Sequence, residues 1–148
     1  MNTHFAVEKT LGKLAKWLRI LGFDTIYESD FLDLTKGDRI LLTRTKNMLN
    51  DHTSDKLLFI KSDKAFEQIR EVIITLGIVE EEIRPFTRCI RCNTKLTRVA
   101  KDCLRSAVPD YVWENQNSFK TCNKCEKIYW QGSHTKRSRE LIKKLFQS

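Results

Sequence analysis

Four cysteines in two Cys-x-x-Cys pairs constrain this chain more than any other feature. They are Cys89 and Cys92 in TRCIRCN, and Cys122 and Cys125 in KTCNKCEK. A two-residue spacing lets one tight turn present two thiolates, and zinc takes four of them in a tetrahedron. The pairs are separated by 29 residues. That gap is longer than the commonest one in zinc ribbons, and it suits a β-excursion between two zinc knuckles. The alternative, two disulfides, calls for an oxidising compartment, and nothing else in the sequence points to secretion. Four sulfur ligands leave no open position for water or substrate, so the expected zinc is structural.

Charge divides the chain as sharply as the cysteines do. Net charge is +8 overall. Residues 1–84 hold 13 Lys and Arg against 14 Asp and Glu, whereas residues 85–148 hold 14 against 5. An excess of this size beside a zinc ribbon and aromatic residues points to a polyanion, with RNA or DNA the expected partner. No apolar run approaches the ~20 residues of a membrane span. The N-terminus lacks the pattern of a signal peptide. The expectation is therefore a cytoplasmic protein with reduced cysteines, in which the fifth, Cys103, is a small core residue.

The first half alternates strand and helix signals. Short apolar runs at 5–7, 25–27, 39–44 and 56–62 read as strands, the last two of the fully buried type. Residues 10–21 follow the helical period, with Leu11, Leu14, Ala15, Leu18 and Leu21 on one stripe and Lys13, Lys16 and Arg19 opposite. Gly22 ends that helix. A second helix runs from 65 to 76, with Asp63 placed to cap it and Gly77 to stop it. This order predicts an α/β fold: a small parallel sheet with helices on its faces. A charged, proline-ended linker follows at 79–85. Beyond it, 95–100 and 111–113 alternate like exposed strands, 128–130 closes the ribbon, and 136–148 forms a basic helix. The expected organisation is 1–84, 85–135 and 136–148.

In an open parallel sheet, ligands bind beyond the carboxyl ends of the strands. Glu8 follows the first strand, Asp30 the second, with Asp33 nearby, and Asp63 the fourth. Carboxylates converging on one edge repel each other unless cations sit between them. Magnesium or manganese takes such oxygen ligands and promotes phosphodiester hydrolysis. The same pattern also arises from helix caps and solvated turns, and spacing alone leaves that alternative open.

The stretches LGKLAKWLRILGFDTIY (11–27), RILLTR (39–44), PFTRCIRCN (85–93), VP (108–109) and IYWQGSH (128–134) together resemble the Mut-seven C-terminal RNase family. The resemblance covers roughly residues 5–137. It implies a PIN-like nuclease domain followed by a zinc ribbon, with RNA as substrate and a divalent metal at the acidic edge. Asp30 and Asp63 match the family's acidic positions. The chain departs from the pattern at Glu8 and at Thr45, both of which are Asp in the family, and its 30–39 segment is shorter. Asp33, Asp38 and Asp51 are possible substitutes for the missing carboxylate.

The expected activity is that of a metal-dependent endoribonuclease with Glu8, Asp30 and Asp63 as catalytic metal ligands. Two other readings stay open: a catalytically degenerate RNA-binding protein, and a toxin-type PIN nuclease with a protein partner. Arg88 and Arg91, with Lys95, Arg98 and Lys101, cluster around the first knuckle. Lys120, Lys124 and Lys127 cluster around the second. Tyr129 and Trp130 are either base-stacking or ribbon core. His134 matches the family's GSH motif and either contacts phosphate, donates a proton or fixes a turn. Lys13 and Arg44 lie near the expected edge, where a phosphate would sit.

Overall fold

The computed structural model describes residues 3–28, 39–45 and 57–147. Contacts divide the chain into two compact units, Met1–Asn93 and Thr94–Ser148. The first Cys-x-x-Cys pair thus belongs to the first of these units.

Four strands build the first unit: β1 (His4–Glu8), β2 (Asp24–Glu28), β3 (Ile40–Thr43) and β4 (Leu57–Phe59). They form one parallel sheet in the order β2-β1-β3-β4. Period-two alternation sorts their side chains onto two faces. Ala6 and Leu41 are buried on one face, with Ile26 and Leu57 packed against them. Phe5, Val7 and Leu42 are wholly buried, and Phe5 meets Phe23 edge-on at 5.5 Å.

Helix α1 (Gly12–Ile20) follows a short 3-10 turn and buries the predicted stripe, Leu14, Ala15 and Leu18. Its end is fixed by Gly22, whose φ is +96°. A side chain there would place Cβ 2.3 Å from the carbonyl oxygen of Arg84, so only glycine fits. Residues 84–88 run along this helix end: the Arg84 N–H donates to the Leu21 carbonyl and the Phe86 N–H to the Ile20 carbonyl.

Helix α2 (Ala65–Leu76) buries Ile69, Val72 and Ile73 and ends on Gly77 in the left-handed region. Asp63 does not cap it. The residue before the helix is Lys64, and no side chain bonds the first turn. The fourth strand is also shorter than expected. The Lys61 and Ser62 N–H groups donate to the Glu71 carboxylate, which takes them out of the sheet ladder.

The second unit carries an antiparallel sheet, β5 (Thr97–Val99), β6 (Phe119–Thr121) and β7 (Ile128–Tyr129), in that order. Residues 111–113, expected as a strand, lie instead in helix α3 (Asp110–Asn115). Pro109 precedes the helix and Asp110 opens its first turn, a start signal stronger than a three-residue alternation. Val112 then joins Leu104, Val108 and Phe119 in the core of this unit. Cys103, expected inside, is exposed. Helix α4 (Ser133–Leu145) starts earlier than the basic run suggested and buries Ile142 and Leu145. Among the described residues no helix is long and apolar enough to cross a membrane.

Candidate functional site

Parallel pairing brings the carboxyl ends of β1, β2 and β3 to one edge. Glu8 closes β1, and its carboxylate is held by the backbone and side chains that follow β3. Oε2 accepts from Thr43 Oγ1 at 3.0 Å and from the Arg44 N–H at 3.1 Å. Oε1 accepts from Thr45 Oγ1. Thr45 is held in turn, since its N–H donates to Thr43 Oγ1 at 3.0 Å. Burial pushes the Glu8 pKa up, but the hydrogen bonds from Thr45, the Arg44 backbone, Thr43 and Thr10 outweigh it and hold the group below the ordinary carboxylate range. Glu8 is therefore an anion at neutral pH.

Thr45, the position at which the resemblance implies Asp, thus has a specific role here. The longer Glu8 reaches it, and one hydroxyl hydrogen bond stands where two carboxylates would repel. The sequence singles out Thr45 only as a missing carboxylate, and it gives no sign that Thr43 and Thr45 bond Glu8. Sequence reading also missed Glu28, which closes β2 in register with Glu8. A glutamate directly after a strand was the available signal.

Asp63 lies beyond β4 and is exposed. Asp30 falls outside the described residues, as do Asp33, Asp38 and Asp51. Among the described residues, only the four cysteines bring three or more His, Cys, Asp or Glu groups close enough for one metal ion. For magnesium or manganese, the donor chemistry at Glu8 is suitable: an ionised oxygen ligand.

The expected phosphate-contacting residues separate into two sets. Lys13, Arg91, Lys95, Arg98, Lys124, Lys127 and His134 are exposed. The others are engaged by the protein. Arg44 donates to the carbonyls of Lys61 and Ser62, bracing the end of β4. Gln68 accompanies it, donating to the Ser62 carbonyl at 2.9 Å. Arg88 donates to the Gly22 and Asn93 carbonyls. Trp130 packs on the core around Phe119, and the Lys127 ammonium sits over the Tyr129 ring at 5.1 Å.

The two Cys-x-x-Cys segments fold into matching turns. Cys92 N–H points at Cys89 Sγ at 3.4 Å, and Cys125 N–H at Cys122 Sγ at 3.5 Å. Each turn is closed by a bond of 2.8 Å, from the Asn93 N–H to the Cys89 carbonyl and from the Glu126 N–H to the Cys122 carbonyl. Asn93 and Glu126 both adopt positive φ, 66° and 64°. None of the five cysteines is in a disulfide. The four sulfurs lie within 4.8 Å of one another. One tetrahedral zinc ion with bonds of about 2.3 Å suits this set, and N–H groups aimed at sulfur stabilise thiolate charge.

The first turn is also bound to the parallel sheet. From α1, Arg19 donates to the Thr25 carbonyl at 2.9 Å and, through Nη1, to the Ile90 carbonyl at 2.8 Å and the Arg91 carbonyl at 3.2 Å. Asn93 accepts from the buried Thr25 N–H at 2.9 Å and donates to Asp24 at 2.7 Å. Asp24 receives Arg39 as a two-pronged ion pair, at 3.0 and 3.2 Å. Burial raises the Asp24 pKa, but the bonds from Arg39 and Asn93, with the charges of Arg39 and Arg88, bring it below the ordinary value.

The whole arrangement, a parallel sheet with an acidic edge followed by paired cysteine turns, falls within one known domain. The Mut7-C RNAse domain family model matches residues 3–142, nearly the full chain. Neither a curated protein nor a solved structure matches it. The chain belongs to the Mut7-C RNAse domain family.

Proposed function

We propose that this protein is a metal-dependent endoribonuclease of the cytoplasm. The observation that carries the reading is Glu8: an ionised carboxylate at the carboxyl edge of a parallel sheet, in a chain of an RNase domain family. Glu8, Asp30 and Asp63 would hold magnesium or manganese. A metal held there would supply an activated water and offset the phosphate charge during phosphodiester hydrolysis. Thr43, Thr45 and the Arg44 N–H keep Glu8 ionised and fixed in direction, so it does not reorganise when a cation arrives. Arg44 and Glu71 fix the end of β4, from which Asp63 projects. Lys13 and the exposed cations around the knuckles, Arg91, Lys95, Lys124 and Lys127, hold the RNA backbone.

A second reading, an RNA-binding protein without catalysis, is favoured by one observation. Four donors, from Thr43, Thr45, Thr10 and the Arg44 N–H, already satisfy Glu8 within the protein, so its carboxylate is stable without a cation.

Cleavage of single-stranded RNA across a manganese titration separates the two. The nuclease reading expects cleavage that requires manganese and is lost in Asp63→Ala. Thr45→Asp removes the hydroxyl donor and adds an anion beside Glu8, so manganese should bind it more tightly and cleavage should rise. RNA binding with no cleavage at any manganese concentration, in parent and Thr45→Asp alike, would establish the second reading.

A further inference from the structure

Helix α4 carries a second set of exposed cations that the acidic edge and the knuckles do not explain. Its 13 residues, SHTKRSRELIKKL, include Lys136, Arg137, Arg139, Lys143 and Lys144, all exposed, and one acid, Glu140. At about 100° per residue these five cations fall within an arc of roughly 160°. Ile142 and Leu145 lie on the other side and are each 5 % exposed. Like charges three and four residues apart, such as Arg139 and Lys143, weaken a helix. Glu140 relieves only part of that repulsion, so the face is suited to an anionic partner.

Three kinds of partner bear such charge: a nucleic acid, an anionic membrane surface and an acidic protein. A membrane-surface helix needs an apolar face to insert among lipids. Here that face is already buried within the protein. The rest of the second unit favours RNA, because outside α4 residues 94–148 hold 7 Lys and Arg against 4 Asp and Glu. A row of long cations about 11 Å from Lys136 to Lys143 matches an extended phosphate backbone and includes no group placed to read bases.

We infer that the solvent face of α4, through Lys136, Arg137, Lys143 and Lys144, is the principal backbone-binding surface for RNA, independent of sequence. This rests on the RNA reading above and adds to it a binding surface on the second unit.

The test measures anisotropy of a short fluorescein-labelled, 2′-O-methylated RNA, which resists cleavage, on the zinc-loaded full chain over a range of potassium chloride. Single-strand binding loses about 0.7 in the slope of log affinity against log salt per phosphate contact removed. A fourfold variant, Lys136→Gln, Arg137→Gln, Lys143→Gln and Lys144→Gln, should bind about tenfold or more weakly, with a slope shallower by about 3. Arg139, which has an interaction within the protein, is left intact. The pairs Lys136→Gln with Arg137→Gln, and Lys143→Gln with Lys144→Gln, should each give about half the slope change, and they serve if the fourfold variant loses zinc. Unchanged affinity and slope in both pairs, with binding lost instead in Lys95→Gln with Arg98→Gln, would overturn the α4 assignment and leave the RNA reading standing. No RNA binding by the parent protein would overturn both. Tighter binding of the parent to phosphatidylserine vesicles than to RNA would overturn the choice of partner.

Discussion

The two cysteine turns are near copies in backbone and differ in what surrounds them. Both close on a residue with positive φ and both aim an N–H at the leading sulfur. After the first turn the positive-φ residue is Asn93, whose side chain joins Asp24 and Thr25. After the second it is Glu126, which is exposed. A metal ion held by the four sulfurs would require only the shared geometry. The extra bonds of the first turn make it part of the parallel-sheet unit. One short motif thus serves two ends, and the residue just after the motif shows which.

The largest test of this comparison is removal of a sulfur. Cys122→Ser and Cys89→Ser should each lose the equivalent of zinc measured in the parent protein, because apparent binding energies of roughly 10–16 kcal/mol rest on the complete ligand set. The comparison predicts different collateral damage. Hydrogen exchange at Thr25 and its neighbours in β2 should speed up more in Cys89→Ser, where the bound turn is altered directly. Equal exchange in the two variants would break the distinction.

Next comes the positive-φ pair. Asn93→Ala leaves the buried Thr25 N–H without its acceptor, a loss of roughly 1–3 kcal/mol, and adds the strain of a non-glycine left-handed residue. Glu126→Gly removes such strain and should be neutral or stabilising. Thermal melts of the zinc-loaded variants decide this, and a larger loss at Glu126 would reverse the assignment.

The smallest effect is the pH dependence of the first turn. Asp24 has its pKa depressed in the folded state, so its stabilisation is complete above the unfolded carboxylate value and is lost as pH falls through the lower folded one. Melting temperature should fall with acid more steeply in the parent than in Asp24→Asn. Parallel profiles would remove Asp24 from the network.

Much of this was legible in the chain. Helix α1, with its stripe and its glycine stop, followed from period alone, as did the parallel sheet from alternating strand and helix signals. The spacing of the four cysteines marked them as a candidate metal-binding set, and in the fold their sulfurs lie close enough to hold one ion. The weaker readings failed where local cues competed. The alternation at 111–113 gave way to a helix because a proline and an aspartate start one there. Cys103 was taken for core on residue type, and type does not set depth. Trp130, which sequence leaves open between base stacking and ribbon core, packs on the core around Phe119. Arg44 and Arg88, expected at phosphate, also donate to backbone carbonyls, which depends on chain paths that no local pattern shows.

Sequence alone was enough for most of the elements and for a cysteine set able to hold a metal, because helical period, strand alternation and thiolate spacing are local properties. Tertiary structure decided how the distant residues are used. Thr43 and Thr45 meet Glu8 only because β1 and β3 pair in parallel at a fixed register. Arg19 reaches Ile90 only because Gly22 lets the chain after Arg84 lie against the end of α1. Hydrogen bonds between residues tens of positions apart depend on orientation to within a few tenths of an ångström, and that is set by packing rather than by composition.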